Sequence, residues 1–267
     1  MTGPLLRRTF AANRVRIIAC VIAMLVWGAV LPLVYASFGR TYGSFIRNNP
    51  MLEQFSQFGG GDLFSLSGAI ALGFIHPFAI AVTSVMAIGV PILSIVAERQ
   101  RGTLEVLLSR PVSRHSLIVV VLIVGIASLA LLLAAQLLSS VVGAYVAGVG
   151  DELAISRLPL VWAMGLLLFA TFLAIALAAS VSFDRTMPAL GVTLLILLVS
   201  YLFEVISSLW QDMRALGDLS LFHYVRAKEL LEGQLRPTDV LIIGGVGIVA
   251  LAWAWIVFPR RDIAAPS

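Results

Sequence analysis

Charge-free runs dominate the chain, and short polar connections separate them. Intervals without Asp, Glu, Lys or Arg occupy residues 17–39, 63–97, 115–150, 158–183, 186–203 and 240–259. Each reaches the ~18 residues at which a helix can cross a bilayer, where every backbone polar group must be paired within the segment. The pattern predicts an all-α integral membrane protein with six transmembrane helices and both termini on one side. The second and third runs, 35 and 36 residues, correspond to about 50 Å of helix against a hydrocarbon core of ~30 Å. Such helices must tilt, kink or leave the bilayer. Pro77 and Pro91 fall inside the second run, where a missing donor and a ring clash bend a helix, so a long kinked helix is expected there.

The basic residues orient this arrangement, because short cytoplasmic loops are enriched in Lys and Arg. With the termini inside, that side collects Arg7, Arg8, Arg14, Arg16, Arg99, Arg101, Arg110, Arg114, Arg185, Arg260 and Arg261. The other side holds Arg40, Arg47, Arg157, Arg214, Arg226, Lys228 and Arg236. Four acids accompany the first group and nine the second, and Glu204 alone lies within a span. Both termini and residues 98–114 are therefore expected to be cytoplasmic.

Composition agrees with this reading. Hydrophobic residues make up 60% of the 267 and charged residues 12%, against about 25% charged in a soluble domain, and mean hydropathy is +1.02. The longest charge-rich stretch, Trp210 to Asp239, is still dotted with Leu, Phe and Tyr, so residues 1–267 read as a single polytopic domain. The excess of 18 basic over 14 acidic residues is split between two sides, which excludes the single basic surface that nucleic-acid binding requires. The lone cysteine, Cys20, provides neither a disulfide framework nor a Cys-based metal site. The basic N-terminus precedes an apolar run too long for a signal-peptide core, which predicts an uncleaved first helix.

Three polar segments stand out: residues 1–16, 98–114 and 209–238. Leu5 to Arg16 alternates basic and apolar residues with helical spacing and predicts an interfacial helix ahead of the first span. The segment at 209–238 mixes aromatics and Leu with charges, as short helices lying along an interface do. Residues 38–66 carry RNNP and a turn at Gly59–Asp62.

Residues 98–114, ERQRGTLEVLLSRPVSR, form a polar island between two long apolar runs. Gly102 and Thr103 open a helix, with the Thr103 oxygen as N-cap, and Leu104, Leu107 and Leu108 share one face at i, i+3, i+4 spacing. Pro111 ends it. By physics alone this two-turn helix is either an anchor for lipid headgroups through Arg99, Arg101, Arg110 and Arg114 or a docking surface for a soluble partner.

The same run resembles the segment after the second helix in permeases of the ATP-binding-cassette (ABC) type-2 exporter family. The resemblance rests on Glu98, Gly102, Thr103, Leu104, Glu105, Leu107, Leu108, Ser109, Pro111, Val112, Ser113 and Arg114. Arg260-Arg261-Asp262-Ile263 and Leu221-Phe222-His223-Tyr224 are also similar to that family's pattern. The resemblance implies that 98–114 is a cytoplasmic coupling helix docking on a separate ATPase subunit. Contacts are then expected from Glu98, Arg99, Arg101, Gly102, Thr103, Leu104, Glu105, Leu107, Leu108, Pro111 and Arg114. It further implies an exporter permease in a prokaryotic plasma (inner) membrane, pairing as a homodimer or with a related permease, with ATP and Mg in the partner ATPase.

Other motifs weigh alternatives. A Walker A loop needs Gly-x-x-x-x-Gly-Lys-Ser/Thr to cradle phosphate, yet the only lysine is Lys228 in a Val-Arg-Ala-Lys-Glu context. The chain is therefore not expected to be an enzyme by itself. Glu204, in SYLFEVISSLW, either faces a translocation path or gate, as intramembrane acids do, or reaches water near Trp210. On the first reading the protein is an ion-coupled secondary transporter or channel. A third possibility is a membrane scaffold that recruits a cytoplasmic partner. His76 is expected to bond a carbonyl freed at the kink, and His115 and His223 to be solvated. Ala135, Ser139, Gly143 and Ala147 form a small-residue stripe suited to close helix packing, within the subunit or between two subunits.

Overall fold

The computed structural model describes residues 2–39, 42, 64–109 and 113–261. Among them there are helices and connections but no strand. The helices are α1 (Thr2–Val34), α2 (Leu66–Ile75), α3 (Pro77–Gln100), α4 (Thr103–Leu108), α5 (Arg114–Val146), α6 (Leu158–Ser182), α7 (Thr186–Leu209), α8 (Ala227–Leu231) and α9 (Pro237–Arg260). Six of these, α1, α3, α5, α6, α7 and α9, are long and apolar enough to span a membrane. Their outward faces are apolar as well: Leu241, Ile248 and Val249 on α9 and Leu195 and Leu198 on α7 are more than half exposed. In water such faces would drive association; in lipid they are solvated.

The second apolar run is not one kinked helix. It divides at His76, whose extended backbone (φ −66°, ψ 138°) ends α2 and starts α3. The cause is local, since Pro77 pushes the preceding residue out of helical geometry. His76 does not donate to a freed carbonyl. Instead its Nδ1 accepts the Phe78 amide at 3.2 Å, a side-chain cap on an orphan donor in the first turn of α3. Trp27 of α1 holds the break, with Nε1 donating to the Gly73 carbonyl at 3.1 Å and its ring 4.5 Å from His76. Pro91 produces no break. A π-helical turn over Ile92–Val96 follows it, closed by the Ala97 amide on the Ile92 carbonyl, which carries the helix past a residue that has no donor.

The helix α1 runs without interruption through residues 5–16, so the amphipathic N-terminal segment is part of the first long helix. Leu5, Thr9, Asn13 and Ile17 are its buried face, one residue per turn as the 3.6 period requires.

The small-residue stripe of α5 packs against α1 within the subunit. A Cβ on Gly28 would lie 2.2 Å from both the Gln136 carbonyl and Ser139 Oγ, and one on Gly143 would lie 2.7 Å from the Ala29 carbonyl. Ser140 Oγ closes the contact by donating to the Gly28 carbonyl at 3.0 Å. Such close backbone approach is open only to residues without a side chain.

The segment expected to lie along an interface, residues 209–238, contains short helices between Gln211 and Leu231, and these pack into the bundle. After a 3₁₀ run at Gln211–Leu219, Phe222 is buried 5.5 Å from Phe172 and 5.7 Å from Tyr201, and Leu230 and Leu231 of α8 are buried too.

Candidate functional site

One end of the bundle gathers the polar island, the start of α1, the α6–α7 connection and the end of α9. The last turn of α3 is Ala97–Gln100, and the chain then reverses at Gly102, whose φ of 72° is left-handed. Glycine adopts that conformation at no steric cost, whereas a side chain there is strained. Gly102, rather than Thr103, is the N-cap of α4. The Thr103 hydroxyl turns back to Glu98, donating to its Oε2 at 2.6 Å and lying 3.1 Å from its carbonyl oxygen. Arg8 of α1 reaches the same Glu98 oxygen at 3.4 Å. The Gly102-Thr103 pair thus sets the angle between α3 and α4, and Glu98 ties that corner to α1.

Two further joints fix the corner. Arg99, only 3% exposed, donates through Nη1 to Asp184 Oδ1 at 3.2 Å and to the Phe183 carbonyl at 3.3 Å. Asp184 also accepts Arg261 Nη2 at 3.2 Å, so one carboxylate bridges α3 and the end of α9. A buried guanidinium calls for such acceptors, because its donors are otherwise desolvated without compensation. Gln100 Oε1 accepts the Thr186 amide at 2.9 Å and its hydroxyl at 2.7 Å, which holds the first turn of α7.

Beyond α4, the Ser113 hydroxyl accepts the Ser116 amide at 3.1 Å and caps α5. Arg114 Nη1 donates to the carbonyls of Phe258 at 2.9 Å, Pro259 at 3.2 Å and Arg261 at 2.6 Å. A cation at the last turn of α9 satisfies orphan carbonyls and opposes the negative end of the helix dipole.

Of the residues expected to meet a partner, the structure turns some inward and others outward. Arg99 and Leu104 are buried, and Arg114 is engaged with α9. Arg101, Thr103 and Glu105 are exposed, Gly102 and Leu107 half-buried, and Val106, not singled out from the sequence, is 66% exposed. Arg110, Pro111, Val112, Asp262 and Ile263 lie outside the described residues, as does the side chain of Leu108. Sequence reading also missed Arg8, Gln100, Asp184 and Arg261. Asp184 carried a usable signal as one of only four acids on its side of the chain, and Arg261 as part of the closing Arg260-Arg261-Asp262-Ile263 run; Arg8 and Gln100 carried none.

The opposite end holds Glu204. Its Oε2 lies 3.3 Å from His223 Nδ1, and Arg226 Nη2 contacts His223 Nε2 at 3.2 Å. Arg226 continues to Asp239 and Glu229, both at 3.4 Å, and Arg236 meets Glu229 at 3.1 Å. His223 is thus a partly buried link in a charge chain, not a solvated side chain. The hydrogen bond to Glu204 raises its pKa, with partial opposition from burial and from Arg226. His115 likewise has a partner, the Trp255 ring 4.3 Å away. Glu204 sits in the last turns of α7, paired to the folded segment that follows. Among the described residues no cluster of His, Cys, Asp and Glu is arranged to hold a metal.

Six apolar helices, joined at one end by a polar corner, define a multi-pass membrane protein. A family model described as ABC-2 family transporter protein matches residues 11–263, and the chain belongs to that family. It is an ABC-2 type permease, a membrane transport subunit. Comparison with individually curated proteins gives no match.

Proposed function

We propose that this chain is the transmembrane permease of an ATP-driven exporter, moved by a separate ATPase subunit that docks on α4 from the cytoplasm. The observation that carries the reading is the corner itself. The last turn of α3, to which Thr103 of α4 is bonded through Glu98, is joined to α1 by Arg8 and to the α6–α7 connection, α7 and α9 through Arg99, Gln100 and Asp184. Beyond the end of α4, Arg114 holds α9 again. Glu105 and Val106 meanwhile face outward. A push on those residues reaches four spanning helices through short, directional contacts, which is how a local displacement biases a two-state bundle. The distribution of arginines supports a cytoplasmic position for this end, and the family resemblance supports a prokaryotic inner membrane. With no phosphate-cradling loop in the chain, ATP and Mg belong to the ATPase. Two permease chains, identical or related, enclose the path.

The test is gentle purification of the tagged chain from its native host, with nucleotide hydrolysis measured on what accompanies it. Recovery of an ATPase chain whose hydrolysis responds to Glu105→Ala supports the proposal. Recovery of the permease alone, without hydrolysis, contradicts it. The ion-coupled reading of Glu204 gains nothing from the geometry, since that carboxylate is spent on His223 at the end of α7.

A further inference from the structure

Beneath the polar corner lies a cavity of about 210 Å³ walled by α1, α3, the α3–α4 turn and the start of α5. Its polar lining contains three arginines, Arg8, Arg16 and Arg101, against one carboxylate, Glu98. That carboxylate is already engaged by Thr103 and Arg8. Among the described residues Arg16 hydrogen-bonds the neutral Asn13 side chain, at 3.2 Å, and neither Arg16 nor Arg101 has a carboxylate within ion-pair distance. The cavity therefore carries uncompensated positive charge. A concave wall of guanidinium groups matches the oxygens of a phosphate ester, which guanidinium binds through paired, charge-assisted hydrogen bonds.

Beside the cavity lies a second space of different character. A groove of about 470 Å³ runs between α3 and α7, with Ile80, Leu194 and Leu197 among its walls, and its lining is almost wholly apolar. Arg16 and Leu93 line both spaces, so the charged pocket and the apolar groove adjoin at those two residues. Along α3 the groove extends from Pro77 to Leu93, which at ~1.5 Å per residue is about 24 Å. One leaflet of hydrocarbon is about 15 Å deep, half the ~30 Å core. The groove is thus long enough to accept an acyl chain from a molecule whose head is held in the pocket.

We propose that the Arg8–Arg16–Arg101 pocket and the α3–α7 groove together form a resident binding site for one anionic phospholipid. Its phosphate lies among the three guanidinium groups and one acyl chain lies between α3 and α7. The lipid neutralises the arginines that the protein leaves unpaired and fills the space between the helix that enters the polar corner and α7. The proposal depends on the membrane-spanning helices and not on what docks at α4.

The test uses the full chain in nanodiscs containing equal amounts of phosphatidylglycerol and phosphatidylcholine, followed by native mass spectrometry of retained lipid. Wild type is expected to retain a single phosphatidylglycerol in preference to phosphatidylcholine. Arg16→Gln and Arg101→Gln should each weaken retention about fivefold, the effect of one interfacial arginine on an anionic lipid. Arg16→Lys should keep most of it. Leu194→Trp, which fills the groove, should also release the lipid while leaving the helical circular dichroism unchanged. Equal retention of the two lipids, or unchanged retention in both arginine-to-glutamine variants, overturns the site. Displacement of the lipid by inorganic phosphate, with equal thermal protection, assigns the pocket to a free anion and overturns the lipid. If Leu194→Trp alters oligomeric state and spares lipid retention, a second copy occupies the groove and the proposal fails.

Discussion

Arg99 and Asp184 lie 85 residues apart in sequence and meet at 3.2 Å, joining the last turn of α3 to the connection between α6 and α7. The pair is asymmetric. Arg99 is 3% exposed and Asp184 69%, so the buried partner depends on the exposed one for compensation. Asp184→Asn leaves the Phe183 carbonyl and an amide oxygen for the guanidinium and should cost about 1 kcal/mol, in the range of a partly exposed pair. Arg99→Ala also removes the packed side-chain stem and should cost about 2–3 kcal/mol. Thermal unfolding of the two purified variants in one detergent checks the order. Equal melting temperatures would remove the joint from the account.

Helix α1 rests on α5 through backbone contact at Gly28, where an added Cβ would lie 2.2 Å from the Gln136 carbonyl. Rigid backbone cannot yield as a flexible side chain does, so Gly28→Val should prevent the two helices from docking. Size-exclusion chromatography is expected to show aggregated or degraded protein. Gly191 on α7 has no atom within 4 Å of a Cβ position, and Gly191→Ala should be neutral or stabilising by about 0.5–1 kcal/mol, the entropic gain of replacing glycine in a helix.

His223 provides a pH dependence with a defined sign. Its pKa lies above the ordinary value of 6.5, chiefly because of the hydrogen bond to Glu204. A group whose pKa is raised on folding contributes stability that is fully present below the unfolded value and is lost as pH rises through the folded one. The segment after α7 should therefore hold more tightly at about pH 6 than at about pH 8. Hydrogen exchange of residues 211–226 at the two pH values checks this. Glu204→Gln should abolish the difference; a difference that survives in that variant contradicts the assignment.

Much of this architecture was legible in the pattern of charges. A charge-free run of 18 residues can hardly be anything but a buried or spanning helix, and all six runs carry one. The short helix of the polar island was legible too, because Gly102 marks its start. Its internal logic was not. That Thr103 would bond Glu98 rather than cap α4 depends on the left-handed turn at Gly102, which orients the hydroxyl backwards. That Arg99 and Arg114 would face inward depends on Asp184 and on the last carbonyls of α9, and no local pattern announces such distant partners. The break at His76 was half visible. Pro77 marked the place, but the choice between a kink and a stop was made by the Nδ1 cap and by Trp27 from another helix.

The central claim is that α4 is the contact through which a separate ATPase moves the bundle. Cys20 is the only cysteine and is buried, so Val106→Cys in a Cys20→Ala background places a single reactive thiol on the outward face of α4. Photo-crosslinking from that thiol in native membranes should capture a nucleotide-hydrolysing chain, with a yield that changes when ATP is added. Leu198→Cys, on the apolar face of α7, should not capture it. Capture of lipid alone from the Val106 position, or equal capture of the ATPase from both positions, would contradict the claim.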